Sequence, residues 1–130
     1  MMKPKIKVTI LKEDTGYSAM AIIDKDFIGT QGDTYEELKT NILEAINLSF
    51  EDKKISYTFD EVELTIDLQS FFNFFKVINA KALSERIGMN QSLLAQYISG
   101  KKKPSAKQAH LILIGVQQIG RELTEIRFLI

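Results

Sequence analysis

The chain is expected to fold as α+β in two parts, a small sheet-and-helix unit in front and an all-α unit behind it. Apolar residues alternate with polar ones near the start, the period of half-buried strands, whereas beyond residue 67 they recur at three- and four-residue steps, the period of helices. Charge changes sign near the same place. Residues 1–78 hold nine Lys against fourteen Asp and Glu, net −5, and residues 79–130 hold eight Lys and Arg against three Glu, net +5. A hydrophobic content of 45% is enough to close a core, and domains are expected over residues 1–66 and 67–130.

In residues 6–11, Ile6, Val8 and Ile10 alternate with Lys7 and Thr9, predicting a strand with one buried face. Glu13-Asp14-Thr15-Gly16 is turn chemistry and predicts a hairpin to a second strand over 17–23. Asp24-Lys25-Asp26 turns the chain again into a short third strand over 27–31. Thr34 and Glu37 have the spacing of a capping box, so a helix should start there, with Leu38, Ile42, Ala45, Ile46 and Ser49 along its buried stripe. Val62, Leu64 and Ile66 alternate with Glu63 and Thr65, giving a fourth strand. Asp67 then caps a predicted helix over 68–78, whose Phe71, Phe72, Phe74 and Phe75 are expected to bury the first helix of the basic half rather than to stack on bases.

Composition removes several chemistries. With no Cys there is no disulfide, thiol nucleophile or thiolate metal site, and a lone His110 forms no imidazole cluster, so neither metal nor cofactor is expected. No apolar run approaches the roughly 18 residues of a membrane span, and no leader pattern opens the sequence, so a cytoplasmic location is expected. Asp14, Asp24, Asp26 and Asp33 could in principle gather Mg²⁺, but Asp in predicted turns serves local hydrogen bonding first. An enzyme is not expected.

Residues 79–104 say most about function. Leu83, Ile87 and Met89 occupy the buried positions of one helix, and Leu94, Tyr97 and Ile98 those of the next. Gly88 takes the sharp turn between them, and Asn90 caps the second helix, whose first exposed residues are Gln91 and Ser92. Ser105 caps a further helix with Ala109, Ile112, Val116, Ile119 and Leu123 along its stripe, and Ile126, Phe128 and Ile130 suggest a short C-terminal strand. The string GMNQSLLAQYISGKKKPS resembles the helix-turn-helix of the phage-repressor and Cro-like group, with Ser84 where that group usually has Ala. The resemblance implies that Gln91, Ser92 and Gln96 face base edges, where a bidentate Gln–adenine pair discriminates by roughly 1–3 kcal/mol. Asn90, Lys101, Lys102 and Lys103 fit phosphate contacts, which position without reading sequence. One such module reads one half-site, so operator DNA implies a homodimer or higher homo-oligomer.

The order of elements in the front half, with the strings GYSAMAIID and TQGDTYEELKTNILEAI, resembles the HicB antitoxin family, although Lys25-Asp26-Phe27-Ile28-Gly29 replaces the family's usual Leu-Pro-Gly-Cys turn. That resemblance implies a partial RNase H-like domain that binds a small basic ribonuclease toxin encoded next to it, with Tyr17, Asp24, Asp26 and Phe27 the candidate contacts. It also implies that the C-terminal unit represses the shared operon. The expected function is therefore that of an antitoxin and autorepressor. Its rivals are a stand-alone transcription regulator whose front half dimerises or senses a ligand and, more remotely, a metal-dependent nuclease.

Overall fold

Ile6, Val8 and Ile10 lie at most 2% exposed and Lys7 is fully outward, as the two-residue period requires. In the computed structural model, which describes residues 3–130, they belong to strand β1 (Ile6–Lys12) of the first of two compact units; that unit ends at Phe74 and the second spans Phe75–Ile130. Strands β2 (Tyr17–Ile23) and β3 (Asp26–Gly32) follow as antiparallel hairpins, and β4 (Val62–Ile66) joins β1 in parallel, so the sheet order is β3-β2-β1-β4. Asp24 makes the second hairpin turn at φ 54°, a left-handed conformation that Asp tolerates through its short polar side chain.

Helix α1 (Tyr35–Ser49) covers one face of this sheet. It starts where expected, with the Thr34 hydroxyl accepting from the Glu37 amide at 3.1 Å. Leu38, Ile42 and Ile46 pack onto Val8, Ile10, Ala19 and Ala21, and Phe50 and Tyr57 complete the cluster. Ala45 and Ser49, expected on the same stripe, are only half-buried. The segment after α1 is fastened by Asn47, which accepts from the Tyr57 amide at 2.7 Å, and by the Tyr57 hydroxyl, which donates to the Pro4 carbonyl at 2.6 Å. Burial, only partly offset by Lys3, raises the Tyr57 pKa, so this donor keeps its proton.

The helix after β4 differs from the sequence expectation. Helix α2 (Leu68–Phe74) stops four residues before Ile78, and it packs on β1 within the first unit. The Phe74 ring stacks on Tyr35 at 4.7 Å and tilts against Tyr17 at 4.4 Å, so this aromatic belongs to the core of the front unit. The units therefore divide between Phe74 and Phe75, not after residue 66.

The second unit consists of helices α3 (Ala80–Ile87), α4 (Gln91–Ser99) and α5 (Ala106–Thr124) around Leu83, Met89, Leu94, Tyr97 and Ile112. Ile87 and Ile98 are half-buried at its edge. Ser84 is 2% exposed and satisfies its hydroxyl by donating to the Lys81 carbonyl at 2.6 Å, so it takes the small-residue position without an orphaned donor. Gly115 is buried where α5 crosses α3; a Cβ there would lie 2.3 Å from Ile87 Cγ2. The Arg86–Glu122 ion pair ties the far end of the two helices.

Two expectations for the back half are corrected. Leu123 is 61% exposed rather than buried, because α5, with 19 residues, extends past the eight of α3. Residues 126–130 form no strand: in an all-helical unit no sheet edge is on offer to them, and Ile126, Phe128, Leu129 and Ile130 are exposed. No helix among the described residues is long and apolar enough to cross a membrane.

Candidate nucleic-acid interface

The turn between α3 and α4 is built from local chemistry at three successive residues. Gly88 adopts φ 71°, a left-handed conformation that costs a side chain but not glycine. Its amide points back to the Glu85 carbonyl at 3.4 Å and the Met89 amide to the Ser84 carbonyl at 2.9 Å, the paired bonds that stop a helix. Met89, buried, closes the turn from below. Asn90 then restarts the chain as a helix, its side-chain oxygen accepting from the Leu93 amide at 3.1 Å, as Asn79 does for Ala82 at 2.9 Å at the head of α3.

The cap uses only the Asn90 oxygen, which leaves its two Nδ2 donors for an outside acceptor such as a phosphate. Gln91 and Ser92 are exposed on the first turn of α4, beside the helix N-terminus, where unpaired backbone amides and the helix dipole favour an anion. Leu94 is 0% exposed and Tyr97 is buried, which fixes the opposite face of α4 against the unit and keeps the Gln91 face outward. Gln96 sits at the margin of that face, half-buried, and its carbonyl accepts from the Lys102 amide at 3.2 Å. Its side chain is thus less central than those of Gln91 and Ser92.

Two exposed residues of the same face escaped the sequence reading. Ala95 and Ser99 follow Gln91 and Ser92 at helical steps of four and seven, and both are exposed. A helical projection would have found them. Ala95 carries no hydrogen-bonding group, although a small apolar side chain is what meets a thymine methyl, and the Ser99 hydroxyl turns back to donate to the Gln96 carbonyl at 3.2 Å.

Lys101, Lys102 and Lys103 are exposed in the loop between α4 and α5. That loop is not slack: the Gly100 amide donates to the Tyr97 carbonyl at 3.3 Å, Lys102 to Gln96, and Ser105 caps α5 by accepting from Gln108 at 3.2 Å. Three ammonium groups are held at the end of α4 opposite Asn90, and Lys107 adds a fourth exposed cation on the first turn of α5. The second unit carries nine Lys and Arg against three Glu, net +6. His110, exposed on α5, stands apart from any metal-binding group, and among the described residues no three His, Cys, Asp or Glu gather as one.

No family model, no curated protein and no solved structure matches the chain.

In the front unit the four candidate contact residues do not form one cluster. Asp24, Asp26 and Phe27 are exposed together at the β2–β3 turn. Tyr17 lies at the other end of β2, paired with Gly32, and on the opposite face of the sheet, where its half-buried ring is held by Phe74 and by Lys12 Nζ at 4.9 Å. Odd-numbered residues of β2 point toward α1 and even-numbered ones away from it, a parity that separates Tyr17 from Phe27. Asp14 and Asp33 flank the Tyr17 end, away from Asp24 and Asp26.

Proposed function

We propose that this protein is a HicB-like antitoxin and autorepressor: the front unit binds and occludes a small basic ribonuclease, and the back unit is a helix-turn-helix that binds operator DNA as a homodimer or higher homo-oligomer. It acts in the cytoplasm, by occupancy, with no cofactor and no catalytic step of its own. The observation that carries the DNA reading is the run Gly88–Asn90, which ends one helix, caps the next and leaves Gln91 and Ser92 outward at its N-terminus with three lysines beyond its far end. Gln91 and Ser92 read base edges, Gln96 contributes from the margin, and Asn90 with Lys101, Lys102 and Lys103 holds phosphates.

Support for the antitoxin reading comes from the front unit. Two hairpins, one helix and a parallel fourth strand, in the order β3-β2-β1-β4, support reading it as a partial RNase H-like domain. The unit carries eight Lys against fourteen Asp and Glu, net −6, a balance suited to a basic partner.

Co-expression with the adjacent reading frame tests the whole reading. The expected result is a complex of this chain with a small basic protein whose ribonuclease activity is silent in the complex and returns when this chain is removed. An adjacent product that neither binds nor cleaves RNA would return the chain to a stand-alone regulator. Footprinting on the upstream DNA tests the second half: Gln91→Ala should erase the preference for the palindrome while leaving the partner bound, and loss of both together would refute separable roles.

A further inference from the structure

Helix α1 covers only one face of the sheet. On the other face, where an antiparallel sheet normally presents polar side chains to water, the outward positions of the first three strands carry Leu11, Met20, Ile22 and Phe27. Ile22 and Phe27 are cross-strand partners, 76% and 68% exposed. Met20 stands opposite Gly29, and the Phe27 ring folds over that glycine, with its Cε1 2.8 Å from where a Cβ would be. The glycine thus lets an aromatic ring lie flat on an edge strand. Together these side chains expose on the order of 400 Å² of apolar surface, within the range of patches that serve binding on monomers.

The two ends of the patch are acidic. Beyond Leu11 lies the turn with Glu13 and Asp14, where an open recess of about 580 Å³, floored by Gly29, Thr30 and Gln31, has room for a long cationic side chain. Beyond Ile22 and Phe27 lies the second turn, with exposed Asp24 and Asp26 around Lys25. Of the cations on this face, Lys5 is engaged by Glu63 at 3.1 Å, and Lys7 stands beside the same carboxylate on the β4 side, away from Ile22 and Phe27. A second copy laid on the same face would set acidic turns against acidic turns. A separate chain with an apolar centre and Lys or Arg on its rim fits both the patch and its ends.

We infer that this open sheet face, centred on Ile22 and Phe27, is the surface on which the front unit docks a separate basic protein. The inference rests on the antitoxin reading above and names its contact face. Tyr17, on the α1 side, lies outside it. Apolar contact at the centre sets the lifetime of the complex, and the acidic turns set its capture rate and salt dependence.

Titration of the full chain against the purified product of the adjacent reading frame tests this. Ile22→Lys and, separately, Phe27→Ser should each weaken binding at least about thirtyfold, as loss of a central anchor does. Leu48→Lys, at a position 61% exposed on α1, should leave it unchanged. Asp24→Lys with Asp26→Lys should slow association and flatten its dependence on salt. Both apolar sites are exposed, so thermal unfolding should stay within a few degrees of wild type, and Phe27→Ser serves if Ile22→Lys does not fold. Unchanged affinity in the folded variants overturns the docking face and spares the antitoxin reading; no binding by wild type overturns both. Sedimentation of the chain alone guards the choice of occupant: if Ile22→Lys dissociates an oligomer of this chain, the face belongs to a second copy and the inference fails.

Discussion

Gly115 and Gly120 lie five residues apart on α5, and the same substitution should have opposite effects at the two sites. Replacing a helical glycine by alanine gains about 1 kcal/mol from backbone entropy alone. A Cβ on Gly120 meets nothing within 4 Å, so Gly120→Ala should stabilise the second unit by about that amount. A Cβ on Gly115 would come 2.3 Å from Ile87 Cγ2 and 3.5 Å from Leu83 Cδ1. That methyl hangs directly from the Cβ of a β-branched residue whose χ1 is stiff in a helix, so it does not swing away and α3 itself must retreat. Overpacking of this kind costs about 1–3 kcal/mol, which outweighs the gain; Gly115→Ala should end about 1 kcal/mol below wild type and about 2 kcal/mol below Gly120→Ala. Subtracting the two variants cancels helix propensity and isolates the contact. Urea unfolding followed by far-UV circular dichroism measures it, and Ile87→Ala in the Gly115→Ala background should recover part of the loss. If both alanines stabilise equally, α3 does not approach α5 at Gly115 as described.

Other outcomes follow from the same structure. Replacing Lys101, Lys102 and Lys103 by Gln should make the slope of log affinity against log salt shallower by about 3 per subunit, on any DNA sequence; an unchanged slope assigns them to a bare loop. Asn90→Ala removes the α4 cap and should cost about 1 kcal/mol, and Asn90→Asp should restore that stability while weakening DNA binding, because it brings a negative charge to the phosphates. Glu61 is held below the ordinary glutamate value of 4.5 first by the Thr58 amide and then by Lys3, and Glu63 first by its hydrogen bond from Lys5. A depressed carboxyl contributes stability that is full above the unfolded pKa and is lost as pH falls through the folded one. Glu61→Gln with Glu63→Gln should therefore flatten the dependence of stability on pH below about 4.5, and an unaltered acid limb in urea titrations would rule these pairs out.

What could be read along the chain was whatever neighbours in sequence decide among themselves. Thr34, Asn90 and Ser105 each cap a helix by accepting from an amide three residues on, so their roles follow from spacing. The alternation of Ile6, Val8 and Ile10, and the helical steps of Leu38, Ile42 and Ile46, likewise picked out buried faces, because the period of an element is a local property. The outward face of α4 could be read almost whole, save Ala95, which has no polar group, and Ser99 at the helix end, whose hydroxyl turns back to the Gln96 carbonyl.

The four phenylalanines of residues 71–75 show where such reading stops. Helical spacing says that they are apolar along a helix, but not which partner receives them, and Phe74 turned out to stack on Tyr35, 39 residues earlier. The strand expected of residues 126–130 failed for a related reason: alternation describes a willing strand, and pairing needs an edge that only the fold can supply.

By itself, then, the sequence determined where the capped helices begin, which face of β1 and of α1 turns inward, and which polar groups stand at the head of α4. Those depend on dihedral preference, capping and periodicity within a few residues. Tertiary structure alone decided that Tyr17 and Phe27 lie on opposite sides of the sheet, that Gly115 is a contact with Ile87 while Gly120 is not, and that Ile22, Met20 and Leu11 share one uncovered face. Each of these depends on how separate elements are laid against one another, through strand register and helix packing, which no pattern within one element encodes.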